Sequence, residues 1–156
     1  MQDYISDWFI PMDFGNDMPD EEPSGEDNFN FDWNMEKKFI LTDKFVINNF
    51  GIKLFQIKCT RSFKYAQEGD LGGYIEKEDN LSQEGNAWVY DNAWVYGDAW
   101  VYGDARVYDN ARVFDNARVY DYARVYDYAR IHGYARVFDN ARVFNNAMIY
   151  GNAWVL

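Results

Sequence analysis

Cysteine and histidine are almost missing from this 156-residue chain, where Cys59 and His132 stand alone. One cysteine excludes an intramolecular disulfide framework and a Cys-cluster zinc site. One histidine excludes a His-rich metal centre, so no metal or cofactor is expected. No stretch approaches the ~18 apolar residues of a membrane span. The opening residues 1–7 carry no basic region and no apolar run, so no secretory signal is expected. Residues 1–36 lack Lys and Arg altogether yet hold 11 of the 26 acidic residues. Residues 37–156 hold the other 15 acids against all 15 bases, so the net charge of −11 belongs to the leader. That balance argues against a basic nucleic-acid binder, and direct contact with nucleic acid is not expected. The expectation is a soluble protein of a reducing compartment, the cytoplasm.

What is present is a repeat. From Gly85 to Leu156 the chain is twelve hexapeptides without an insertion. Position three is Ala in all twelve, and position five is Val except at Ile131 and Ile149. Position four is Trp or Arg apart from Met148, and position six is Tyr or Phe apart from His132 and Leu156. Ala and Val alternate, so they share one side of a short strand, and Arg/Trp with Tyr/Phe share the other. The Gly/Asp/Asn residues at positions one and two make a turn. Val every sixth residue fits no helix. A short strand and a turn, repeated, wind the chain into a parallel β-solenoid.

The spacing resembles the hexapeptide motif of left-handed β-helices, in which three hexads make one 18-residue coil. The resemblance implies a single-stranded left-handed β-helix of about four coils, ~19 Å tall at ~4.8 Å per coil. Residues 18 apart then stack. The first coil carries Trp88, Trp94 and Trp100. The next two carry Arg106, Arg112 and Arg118, then Arg124, Arg130 and Arg136, with Tyr122, Tyr128 and Tyr134 at the corners. One reading is structural, with stacked rings supporting the ladders and Arg lying on them. The other is a surface for a polyanion or partner. The column Asp91, Asp109, Asp127 reads as turn capping, because calcium-binding solenoid repeats need a different Gly–Asp spacing. The last hexad leaves Trp154, Val155 and Leu156 on a bare parallel edge, and a homodimer through that coil end is expected, with face-to-face trimers as the alternative.

Residues 37–78 read as a β cap: strands over Lys38–Leu41, Phe45–Ile47 and Ile52–Ile57, with a turn at Asn48–Gly51. Gly72-Gly73 reads as a tight turn into the first coil. Residues 79–84 read as an imperfect hexad with Leu81 in the Ala slot, so the solenoid is assigned to 79–156. The run Gly-Asp-Leu-Gly-Gly-Tyr-Ile-Glu (69–76), then Asn-Leu-Ser-Gln-Glu-Gly-Asn-Ala (80–87), then reiterated Asn-Ala-x-Val-Tyr resembles the YdcK-type β-solenoid repeat proteins. Those occur in phages and prophages and are labelled polymer-forming proteins or transferases, without a settled activity. The resemblance spans about residues 37–156. It implies the fold and a bacterial host setting, and carries over no functional residue.

Residues 1–36 lie outside that pattern. They mix Asp17, Asp20, Glu21, Glu22, Glu26 and Asp27 with Trp8, Phe9 and Trp33, and Pro11, Pro19 and Pro23 preclude one long helix. Three readings stand: a solubilising tail, a cover over the Arg faces, or a partner-binding arm. In the last, carboxylates imitate phosphate charge and aromatics anchor the contact. The expected function follows from the arm: a non-enzymatic inhibitor that occupies the basic, nucleic-acid-binding surface of a bacterial defence protein. The alternative is an assembly protein working through its Arg/Tyr faces and open end. A hexapeptide acyltransferase is a third reading. It would need a His base near a coenzyme cleft, and only His132, at an aromatic position of the repeat, is offered.

Overall fold

The computed structural model describes residues 37–156. Every position-one residue of the twelve hexads has a left-handed backbone, with φ between 56° and 73°. Only Gly, Asp or Asn occupies that position, the residues that adopt this conformation at least cost. Each turn is followed by a two-residue strand, from Trp88–Val89 through Trp154–Val155. Strands 18 residues apart pair in parallel, as Val89 with Val107 and Arg106 with Arg124. Three parallel ladders result, one per face of the solenoid.

The interior is the one the alternation implies. Ala at position three and Val or Ile at position five are buried from Ala87 through Val143. Outside, the position-six rings stack in three columns, as in Tyr90, Tyr108, Tyr126 and Phe144 with centroids 4.9 to 5.5 Å apart. The Asp column is turn capping. The Asp91 carboxylate accepts the Asp109 N–H, Asp109 accepts that of Asp127, and Asp127 that of Asn145. Each carboxylate thus ties its turn to the turn one coil on.

The cap supplies what a preceding coil would. Strands β1 (Phe39–Ile47) and β2 (Lys53–Cys59) form a hairpin, and β3 (Leu71–Ile75) pairs antiparallel with β2 and parallel with Trp94–Val95. Each coil's carbonyls at positions one, three and five accept N–H groups from the coil before. For the first coil the donors come from elsewhere. Tyr74, Glu76 and Ser82 donate backbone N–H groups to Ala93, Val95 and Val101. The buried Asn80 amide donates to Gly97 and Ala99, and the buried Lys38 ammonium to Ala87 at 2.7 Å and Gly85 at 3.4 Å. The stack therefore has about five turns, the first made of cap residues, where the hexads alone give four.

Two expectations in this region are corrected. Gly72 and Gly73 are strand residues, not a turn. They lie so close to the first coil that a Cβ on Gly73 would sit 2.8 Å from both the Ala93 carbonyl oxygen and a Val89 methyl. Leu81 bridges Val101, so it fills the Val slot and not the Ala slot. It lies 20 residues before its partner where later pairs are 18 apart, because two extra residues precede Trp88.

Candidate functional site

The outer faces hold the sequence-nominated surface residues. On one face Trp88, Arg106, Arg124 and Arg142 form a column; on the second, Trp94, Arg112, Arg130 and Met148; on the third, Trp100, Arg118, Arg136 and Trp154. The register thus brings Arg106, Arg112, Arg118, Arg124, Arg130 and Arg136 to the places their spacing implied. Some are engaged: Arg112 lies 4.2 Å from the Trp94 ring, Arg136 lies 5.6 Å from Trp154, and Arg106 lies 4.4 Å from Tyr65. Among the described residues, no carboxylate forms an ion pair with any of the seven arginines of the repeat. Burial in the stacks holds the phenols of Tyr90, Tyr96, Tyr102 and Tyr108 above the usual range, with Arg106, Arg112, Arg118 and Arg124 pulling the other way.

The Trp belt is used unevenly. Trp88 is buried beneath Phe39 and Phe63, ring centroids 6.3 and 5.2 Å away. Trp94 packs with the cluster of Leu54, Tyr74 and Tyr96, whereas Trp100 is exposed. Tyr122, Tyr128 and Tyr134 are exposed at the corners. His132 is a rung of a ladder: its ring stacks on Phe114 at 4.9 Å and on Tyr150 at 5.5 Å, and Nδ1 lies 3.6 Å from an Asp115 carboxylate oxygen. Among the described residues, no group of three or more His, Cys, Asp or Glu is placed to hold a metal ion, and no helix is long and apolar enough to cross a membrane.

At the far end, the N–H groups of Asn140, Arg142, Phe144, Asn146, Met148, Tyr150, Asn152, Trp154 and Leu156 have no acceptor among the described residues. Their counterparts one coil earlier all donate onward. Trp154 and Leu156 are exposed and Val155 is half-buried at this edge. The acidic leader residues Trp8, Phe9, Asp17, Asp20, Glu21, Glu22, Glu26, Asp27 and Trp33 lie outside the described residues.

Sequence reasoning missed Lys64 and Tyr65, which the loop after β2 sets above the first Arg column. No periodic signal marks them; the only cue was their mixed basic-aromatic composition.

No curated protein matches the chain. The family model described as the YdcK β-solenoid repeat matches residues 87–103, 105–121, 111–127, 135–151 and 141–156. Every match begins on a position-three Ala, so the matches keep the phase of the hexads, and each spans about one 18-residue turn. The chain is a β-solenoid repeat protein whose residues 87–103, 105–127 and 135–156 match the YdcK β-solenoid repeat.

Proposed function

We propose that the chain is a non-enzymatic binding protein in which a rigid solenoid carries an acidic, aromatic-rich recognition segment. The segment occupies a basic, nucleic-acid-binding surface on a bacterial protein, a defence protein of a phage-infected cell being the kind of partner the charge fits. One observation carries this: residues 1–36 hold 11 acids and no base, beside 120 residues that sum to zero. Clustered carboxylates present a partner with the counterion-releasing charge that phosphates would, and the aromatic residues among them supply short-range anchors. A role for His132 in packing supports the non-enzymatic reading, since both faces of its ring are covered.

The test keeps the full chain. Asp17, Asp20, Glu21, Glu22, Glu26 and Asp27 are replaced together by their amides, and the protein is used as bait in a bacterial lysate. A basic nucleic-acid-binding protein retained by the parent and lost by the variant is the expected result. Equal retention of the same partners by both refutes the reading.

A second reading, assembly with another copy, is favoured by the unpaired N–H groups of the last described coil. Exposed strand edges and apolar side chains at one end suit coil-to-coil pairing. Charge at that end, as in Trp154→Lys, would then dissociate the assembly in sedimentation analysis while leaving lysate partners unchanged.

A further inference from the structure

We infer that the face bearing Arg106, Arg124 and Arg142 is a binding groove for a linear oligophosphate, independent of the acidic leader. The three guanidinium groups stand on three successive coils of one ladder, about 4.8 Å apart along the stack. The loop of residues 61–66 overhangs the first of them. Phe63 on Trp88 at 5.2 Å and a bridge between Phe63 and Ala66 hold that loop in place. Tyr65 thereby covers Arg106 at 4.4 Å, and Lys64 adds a fourth positive charge to the wall. The groove measures about 310 Å³, completed by Tyr122 and Asn140 at the corner, and no carboxylate of the described residues lines it.

The cap covers a second face differently: there Val46, Ile52 and Leu54 pack against Trp94, Tyr96 and Phe114 and form an apolar cluster, not a basic groove. Among the described residues Arg112 rests on Trp94 and Arg136 on Trp154, whereas Arg124 and Arg142, like Arg118 and Arg130, stack on no ring and pair with no carboxylate; only the first face adds Lys64 beside its arginines. Like charges stacked at coil spacing repel one another, and a ligand with negative charges strung along the same line relieves that repulsion at every rung. Guanidinium forks match phosphate oxygens in pairs. At about 30 Å³ per water, the groove holds roughly ten waters, room for a triphosphate. The chemistry is therefore that of a triphosphate, free or as the tail of a nucleotide whose base lies outside against the exposed Tyr122.

The probe is inorganic tripolyphosphate, titrated calorimetrically into the full chain, with orthophosphate, a nucleoside triphosphate and a single-stranded oligonucleotide as further arms. The expected result is one site per chain, weakened by added salt, with orthophosphate bound about tenfold more weakly or worse. Arg124→Gln should weaken tripolyphosphate about tenfold and Lys64→Gln severalfold, while Arg118→Gln on another face changes it less than about twofold. Two variants in separate elements guard against one that misfolds, and unchanged thermal melting of each confirms that both report on binding. A nucleotide bound more tightly than tripolyphosphate, with the excess lost in Tyr122→Ala, supports the groove and assigns the source. Equal affinity also supports it and assigns the free oligophosphate. No binding, an equal loss in Arg118→Gln, or tighter binding of the oligonucleotide at equal phosphate overturns the proposal.

Discussion

Lys38 makes the stability of the cap depend on pH in an unusual direction. Its ammonium is buried among the first-coil carbonyls and lies 4.9 Å from the Phe63 ring. Burial, reinforced by the positive charge of Arg61, lowers its pKa from 10.5 to about 8. Between those values the unfolded chain binds more protons than the folded one, so stability rises with pH. From pH 7 to 9 the gain from this residue is about 1.3 kcal/mol, reaching ~3 kcal/mol by the upper end of the window. Opposing groups enter later. Burial raises the Cys59 thiol above 9.0, and stability from that source is lost as pH climbs past 9. The buried phenols of Tyr90, Tyr96, Tyr102 and Tyr108 act in the same sense above 10. The clean interval is therefore about pH 7 to 9, and a Cys59→Ala background extends it to about 10. Urea unfolding followed by aromatic fluorescence at intervals of half a pH unit reads the effect. The parent should gain stability across the interval, and Lys38→Met, which cannot titrate, should be flat. A flat parent, or the same rise in Lys38→Met, would show that the buried ammonium is not the source.

Three further outcomes follow from the same geometry. At Asp109, with φ of 57° and its carboxylate on the Asp127 N–H, Asn should be near neutral, Gly should cost ~1 kcal/mol, and Ala ~2 kcal/mol. Thermal melts ranking Ala above Gly would contradict the turn assignment. Gly73→Ala sets a Cβ against backbone at 2.8 Å and should loosen the cap, raising hydrogen exchange in β3 while the distal coils stay protected. Pairing of a second copy onto the last described coil predicts a mass that rises with concentration in sedimentation and becomes monomeric in Met148→Lys, where Met148 is half exposed at that edge; an unchanged mass would exclude the second-copy reading.

What the sequence made legible is what it says repeatedly. Twelve copies of one instruction place Ala and Val inside and Arg beside stacked rings outside, and the 18-residue register follows by counting. The parts that resist reading occur once. Lys38 acts on carbonyls 47 and 49 residues away, and Asn80 on Gly97 and Ala99. Both must satisfy acceptors that every later coil satisfies with backbone, yet Lys38 reads as an ordinary charge beside Lys37. Leu81 was displaced by two residues because two extra residues break the period ahead of Trp88, and period was the only ruler available. Gly72 and Gly73 read as a turn because glycine in a loop-like run serves turns and close approach alike, and only the neighbouring coil distinguishes them. The surface divides in the same way. The Arg columns were countable, but the groove exists only because a non-repeating loop, pinned by Phe63 on Trp88, leans over one of the three faces. In a solenoid whose faces are near copies, functional asymmetry has to enter where repetition stops. The search for chemistry belongs at the cap, the leader and the open end before the repeats themselves.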